Sequence, residues 1–395
     1  MRDDGSDKLN AWCDYPQVDV PRAAQGLLAG LTLAVKDLFD VAGYKSGWGQ
    51  PTRLATAEVA TETQSVIQQM LDAGIEVKGK AQCEELCFSL TGINHHYGAP
   101  VNGAAPERVS GGSSSGSASL VSNGVVDVAT GSDTGGSVRA PASYCGLIGL
   151  RPTHGRLALD HTMPLAGSYD VFGWFAKDAE TYRKVGDVVL GDDASPTPLR
   201  RLIACPELDG LLLSDADYMA YAKGAERVEK HFDDEREFVS LPFGTVDGYW
   251  AFRIGQAYEA WRALGPWIEE HQPDLGPGVK DRFEFGREVS DDEHKRSVAM
   301  RLSMRTSLED MIGDDGLLVF PTVPSCAPLK TEDHDTLQAF REQALQLLCL
   351  SGLSGLPQIT LPLAEVYGAP LGVSLIGPRG SDKRLIAIAE EIFVG

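Results

Sequence analysis

Two stretches of the chain hold residues able to do chemistry: Gly111-Gly112-Ser113-Ser114-Ser115-Gly116-Ser117-Ala118 and Gly131-Ser132-Asp133-Thr134-Gly135-Gly136-Ser137. Small hydroxyl residues and glycines bury little apolar area, and an ordered glycine costs backbone entropy, so an ordinary core segment has little use for them. Such a composition suits a backbone that something must approach closely. A serine nucleophile needs a group to take its proton, donors aimed at the oxyanion, and backbone freedom to place both. Successive N–H groups of Thr134, Gly135, Gly136 and Ser137 can converge on one concavity, each such donor contributing about 3 kcal/mol in the transition state. Taken alone, Ser137 reads first as an incidental serine in a glycine turn and only second as a nucleophile.

Other chemistry is available on paper. Gly112-Ser113-Ser114-Ser115-Gly116 matches the G-x-S-x-G elbow, which would make Ser114 the nucleophile. That elbow follows a buried strand, whereas residues 102–110 here form a polar, proline-bearing loop. Cys83 and Cys87 stand four apart, but no second Cys or His pair at zinc spacing accompanies them. His95 and His96 are adjacent rather than i,i+4 and lack a nearby carboxylate ligand pattern. The expectation is chemistry without a metal. The seven cysteines, at 13, 83, 87, 145, 205, 326 and 349, are odd in number and scattered, which reads as reduced thiols.

The elements that must position these residues alternate. Leu31 to Val35 reads as a strand, with Leu31, Leu33 and Val35 on one face and Thr32, Ala34 and Lys36 on the other. Thr63 to Ala73 reads as a helix with a Val66, Ile67, Met70, Leu71 stripe, closed by Gly74. Ile75 to Val77 is the next strand, Ser117 to Ser122 a short helix ended by Asn123-Gly124, and Val125 to Ala129 a strand. Near the C-terminus come a helix at Leu337 to Leu348, strands at Gln358 to Leu363 and Gly372 to Ile376, and a helix at Asp382 to Phe393. This alternation predicts a mixed sheet covered by helices. Between about 190 and 310 the chain turns acidic, aromatic and helical, with Tyr249, Trp250, Phe252, Tyr258, Trp261 and Trp267 close together. Such a cluster reads first as helical core, and second as a wall over the site.

With 395 residues, 43% hydrophobic and 23% charged, the chain has the balance of a soluble globular protein. A formal net charge of −21 argues against a nucleic acid or an anionic membrane as partner. The opening residues lack the apolar core of a signal peptide, and no apolar run is long enough to span a bilayer. The cytoplasm is the expected location.

The two stretches together closely resemble the amidase signature family. Besides residues 111–118 and 131–137, the resemblance rests on Val138-Arg139, Pro141-Ala142, Cys145 to Thr153, Leu33-Ala34-Val35-Lys36-Asp37, Phe320-Pro321-Thr322, Gly355-Leu356-Pro357 and Pro370-Leu371-Gly372-Val373. Ser137 follows Ser113 by 24 positions, as in the family. The resemblance runs from about residue 30 to the C-terminus. It implies an α/β fold, a single large amidase domain over 1–395 with a mixed central β-sheet covered on both faces by helices. Within it, 1–185 would be the catalytic core, 190–310 a variable helical pocket region and 311–395 closing strands and helices. It implies a Ser-Ser-Lys triad of Ser137 as nucleophile, Ser113 as bridging serine after a cis peptide, and Lys36 as base. The oxyanion hole would be Thr134 to Ser137, with Ser114, Asp133 and Arg139 in support. No metal or organic cofactor is implied, the partner being a small-molecule amide substrate, and homodimers are frequent in the family. A lysine is a base only when neutral, and burial without a carboxylate favours that form. Thr32 and Ala34 leave room for such burial.

Ser115 departs from the commoner Gly at its place. That variant, with Ser143-Tyr144-Cys145-Gly146 and Gly173-Trp174-Phe175, is similar to indole-acetamide hydrolase-type amidases and implies a small carboxamide such as an arylacetamide. Three alternatives are carried: an allophanate or urea-type hydrolase, the glutaminase subunit of a tRNA-dependent amidotransferase, and a non-catalytic binding module on the same fold.

Overall fold

The strand bearing Lys36 forms as β1 (Thr32–Lys36), with Leu33 and Val35 in the main core and Ala34 in a second apolar cluster on the other face. Both faces of this strand are covered, so a side chain on either is out of water. The structure is a computed structural model describing residues 7–194, 197–233 and 235–394. Residues 1–6, where the missing signal-peptide core was read, lie outside the described residues.

Among the described residues ten strands build one sheet. The others are β2 (Glu76–Ala81), β3 (Val128–Asp133), β4 (Ile148–Arg151), β5 (Val171–Ala176), β6 (Arg201–Ala204), β7 (Glu237–Phe238), β8 (Gly316–Pro321), β9 (Gln358–Val366) and β10 (Ala369–Ile376). Their order is β2-β1-β3-β5-β4-β9-β10-β8-β6-β7. β1 runs parallel to both β2 and β3, the middle of the sheet is antiparallel, and β8, β6 and β7 are parallel again. The mixed sheet flanked by helices is the expected α/β class.

The helix expected at 63–73 forms at Ser65–Asp72, burying the stripe of Val66, Ile67, Met70 and Leu71. Its cap is Gln64, whose Oε1 accepts from the N–H groups of Val66 at 2.9 Å and Ile67 at 3.0 Å. The C-terminal helix expected from Leu337 runs from His334 to Ser354, and the last helix spans Asp382–Val394. All seven cysteines are free thiols.

Two expectations about strands need correction. The strand read at 125–129 in fact runs over Val128–Asp133, so Gly131, Ser132 and Asp133 belong to the sheet and not to a glycine loop. The reason is pairing with β5 along 128–133, and the glycine answers crowding: a Cβ on Gly131 would stand 2.8 Å from Val138 Cγ2 and 2.9 Å from Phe175 Cε2. Only glycine fits that place. The middle region is also more than helical, because β6 and β7 extend the sheet edge before the helices Thr245–His271, Pro277–Glu288 and Asp291–Ile312 begin. Gly131→Val is expected to destabilise the protein by about 1–3 kcal/mol through overpacking, read as a lowered midpoint in urea unfolding.

Candidate active site

Three of the residues singled out by spacing sit in different local structures. Lys36 ends β1. Ser113 precedes the helix Ser115–Ser122, and Ser137 lies in the turn between β3 and the helix Arg139–Cys145. Lys36 and Ser113 are buried, and Ser137 is 5% exposed.

The Lys36 side chain ends on hydroxyls. Its Nζ donates to Ser113 Oγ at 2.8 Å and to Ser132 Oγ at 2.8 Å, while its backbone N–H donates to Thr130 Oγ1 at 2.9 Å. No carboxylate pairs with it among the described residues. The neighbouring strand gives the contrast: Lys80, equally buried, stands 3.6 Å from the Asp37 carboxylate and donates to Ser46 Oγ at 3.0 Å. Asp37 is further engaged by Tyr15 Oη at 2.6 Å and the Gly47 N–H at 3.0 Å. Burial pushes its carboxyl up, against the pull of Lys80.

Ser113 is held through its backbone. The Gly112–Ser113 peptide is cis, the Ser113 carbonyl accepts from the Glu84 N–H at 3.0 Å, and the Gly112 N–H donates to Leu90 O at 3.0 Å. A Cβ on residue 112 would fall 1.9 Å from Glu84 Oε2, so this close approach demands glycine.

The Ser137 turn is organised by Asp133. Its Oδ1 accepts from the Gly136 N–H at 2.9 Å, and its Oδ2 from the N–H groups of Val138 at 3.1 Å and Arg139 at 3.3 Å. Arg139 then grips the same carboxylate through Nε at 2.9 Å and Nη2 at 2.7 Å, and Arg151 Nη1 adds a contact at 3.1 Å. Burial works against the charge, but Arg139, its hydrogen bonds and Arg151 outweigh it and hold Asp133 well below the usual carboxylate range. Burial also draws Arg151 down, to about 10, while Asp133 opposes the shift.

This geometry refines the expected site. The Gly136 N–H is committed to Asp133, so Gly136 serves the turn through its φ of 120° and not as an oxyanion donor in this arrangement. The N–H groups of Thr134, Gly135 and Ser137 have no acceptor among the described residues. Ser114, expected to join the hydrogen-bond network, does not: its buried Oγ has no partner. It packs against β3, 3.1 Å from where a Gly131 Cβ would be. No hydrogen bond links Ser137 to Ser113 among the described residues.

Other residues were missed. Ser132 is the second hydroxyl on Lys36, and its signal was available in the strand alternation that puts Thr130 and Ser132 on one face. Thr134 Oγ1 donates to Asp170 Oδ1 at 2.6 Å, and Leu165 and Ala166 donate their N–H groups to Asp170 Oδ2, each at 2.9 Å. The helix Thr245–His271 brings Phe252 and Gln256 against Gly135, where a Cβ would meet Phe252 Cζ at 3.0 Å and Gln256 Nε2 at 3.4 Å. The aromatic cluster is thus split, with Phe252 buried against the turn and Trp250 exposed. A cavity of about 250 Å³ includes Ser132, Thr134, Cys87, Leu38, Met163 and Asp170 in its walls. A second cavity, about 270 Å³, is lined by Glu84, His95, Arg282 and His334; Lys36, Ser113 and Ser137 line neither, and it is the first that borders them, through Ser132 and Thr134.

A family model described as Amidase matches residues 11–207. "Amidase 1" of Arabidopsis thaliana is 36% identical over 398 residues, covering 92% of this chain and 93% of that protein. The chain belongs to the amidase family. It is an enzyme of the class that hydrolyses amide C–N bonds. A glutamyl-tRNA(Gln) amidotransferase subunit of Halobacterium salinarum is 28% identical, covering 97% of this chain and 99% of that protein. A solved structure described as "Crystal structure of amidase" superposes with a TM-score of 0.81 at 26% identity, covering 94% of this chain and 85% of that one. Among the described residues no helix is long and apolar enough to cross a membrane.

Asp133→Asn leaves two buried guanidiniums short of their counter-charge and is expected to cost about 3–5 kcal/mol at pH 7. The folded Asp133 pKa lies below the unfolded one, so its stabilisation is present above the unfolded value near ~3.9 and fades as pH falls through the folded value. Denaturant unfolding at pH 7 and pH 3 is expected to show the gap between wild type and Asp133→Asn narrowing in acid.

Proposed function

We propose that this amidase hydrolyses a small carboxamide, with an arylacetamide as the leading candidate, through an acyl-enzyme on Ser137. The observation that carries the reading is Lys36, a buried amine whose side-chain partners are the hydroxyls of Ser113 and Ser132. With hydroxyls as its side-chain partners and no carboxylate beside it among the described residues, Nζ is placed to exchange a proton with Ser113 Oγ. In the proposed sequence Ser137 Oγ attacks the amide carbonyl as its proton passes to Ser113 and that of Ser113 to Lys36 Nζ. The N–H groups of Thr134, Gly135 and Ser137 are aimed at the oxyanion, with Gly136 shaping the turn. The proton returns by the same relay to the nitrogen, the C–N bond breaks, and ammonia leaves. Water then attacks the ester on Ser137, and the carboxylate departs. Asp133 and Arg139 support the turn without touching the substrate.

The walls of the 250 Å³ cavity favour a small, uncharged substrate with an apolar part, since Leu38, Leu159, Met163 and Leu165 accompany the hydroxyls there. The charge of −21 supports a cytoplasmic enzyme without nucleic acid or an anionic membrane as partner. One domain, working alone or as a homodimer, is part of this reading. A glutaminase reading draws on the near full-length similarity to the Halobacterium salinarum amidotransferase component. An allophanate-type hydrolase is the third choice.

Ammonia release by the purified chain is expected from small aryl and aliphatic amides and not from glutamine or allophanate; glutamine alone as substrate would shift the assignment to the second reading. Ser137→Ala and Lys36→Ala are expected to lower kcat/KM by at least about 10³-fold with unchanged melting temperature. A fluorophosphonate is expected to label Ser137, and labelling of Ser114 would overturn the triad.

A further inference from the structure

The pair His95-His96, whose adjacent spacing argues against a local metal motif, meets a carboxylate from far along the chain. One ligand atom each from His95, His96 and Asp274 lie within 4.8 Å of one another. We propose that these three residues form a surface site for a divalent transition metal of the zinc class. The site would tie the connection between the helices Thr245–His271 and Pro277–Glu288 to the turn at 94–98.

Two imidazoles and one carboxylate are the donor set that zinc, nickel or copper accepts and that calcium or magnesium does not favour, with the remaining positions open to water. Zinc holds such ligands at about 2.0–2.2 Å. Side chains with ligand atoms already this close need only small adjustments to close on one ion. His95 and Asp274 have the freedom to make them, both being exposed, and their Nε2 and Oδ2 stand 3.8 Å apart.

The turn that presents the histidines is fixed. Asn94 and Gly98 exchange backbone hydrogen bonds at 3.1 and 2.8 Å, and Asn94 Oδ1 accepts from the His96 N–H at 2.8 Å and the Tyr97 N–H at 3.1 Å. Its Nδ2 donates to Gly49 O at 2.8 Å and Cys83 O at 2.9 Å, anchoring the turn to the core.

Behind the ligands stands Glu85, whose side chain is 1% exposed. Its Oε1 lies 2.9 Å from His96 Nε2, which also meets Asp274 O at 3.0 Å and Gln50 Nε2 at 3.4 Å, so Nδ1 is the nitrogen His96 would offer the metal; Glu85 Oε2 accepts from the Gly276 N–H at 2.8 Å. A carboxylate on the imidazole of a metal ligand fixes ring orientation and tautomer and raises the basicity of the ring. The same Glu85 therefore orients His96 and holds the chain two residues beyond Asp274.

None of these residues belongs to the proposed catalytic relay, so the proposal stands or falls apart from it. The test is titration of the chelator-treated protein with zinc chloride by calorimetry and with cobalt chloride by absorption. One equivalent per chain is expected at micromolar or tighter affinity, with a cobalt spectrum free of thiolate charge-transfer bands. His95→Gln and Asp274→Asn, both at exposed positions, are each expected to weaken zinc binding at least about tenfold. Zinc is expected to raise the melting temperature of the wild type and not that of Asp274→Asn. Absence of binding, equal affinity in wild type and both variants, or a thiolate band pointing to the cysteines would overturn the proposal.

Discussion

The site hangs on one buried carboxylate. Asp133, Arg139 and Arg151 are each fully shielded from solvent, one negative charge among two positive ones. Backbone and amide oxygens answer the surplus: Arg139 Nη1 reaches Leu348 O and Gln358 Oε1, both at 2.6 Å, and Arg151 donates to the carbonyls of Asp133 and of Tyr169. Buried ion pairs are poor sources of net stability, since desolvation consumes most of their Coulombic gain. Their worth here lies in selection of geometry. Asp133 can satisfy its charge only if the turn that follows points the Gly136, Val138 and Arg139 N–H groups back at it, which fixes where Ser137 stands. The arginines tie that turn to β4, to β9 and to the helix His334–Ser354.

The two buried lysines show how local composition sorts similar side chains into different work. Lys80 meets Asp37 and carbonyl or hydroxyl acceptors, and its charge is answered. Lys36, on the adjoining strand, meets serines and a threonine. The difference comes from β3, whose Thr130 and Ser132 occupy the positions facing Lys36 where a larger or acidic residue would have changed its character.

Much of this was legible in the chain. The alternation in Leu31 to Lys36 identified the strand and its two faces, and the family resemblance, with its 24-residue interval, singled out Ser113 and Ser137. The stripe of Val66, Ile67, Met70 and Leu71 located a helix to within two residues at its start. What could not be read was set by long-range contact. Gly131-Ser132-Asp133 has the composition of a loop and becomes a strand because β5 pairs with it residue for residue. Strands β6 and β7 are too short to carry a periodic signal, and the sheet edge recruits them. Ser114 was expected to find a partner because the family resemblance implies one, yet its environment is the packed face of β3. Gln256 and Phe252 touch Gly135 across more than a hundred residues, and no local pattern foretells such a pairing.

That last contact bears on how the chain can diverge. The helix Thr245–His271 lies in the region that the family resemblance implies to be variable, yet Phe252 and Gln256 crowd Gly135, just as Leu348 crowds Gly136. On the proposed reading, substrate preference and transition-state geometry are not separable modules: a change of side chain on that helix also leans on the turn that carries Ser137, the proposed nucleophile. Drift in the middle of the chain is screened by the chemistry even at residues that never meet the reacting atoms.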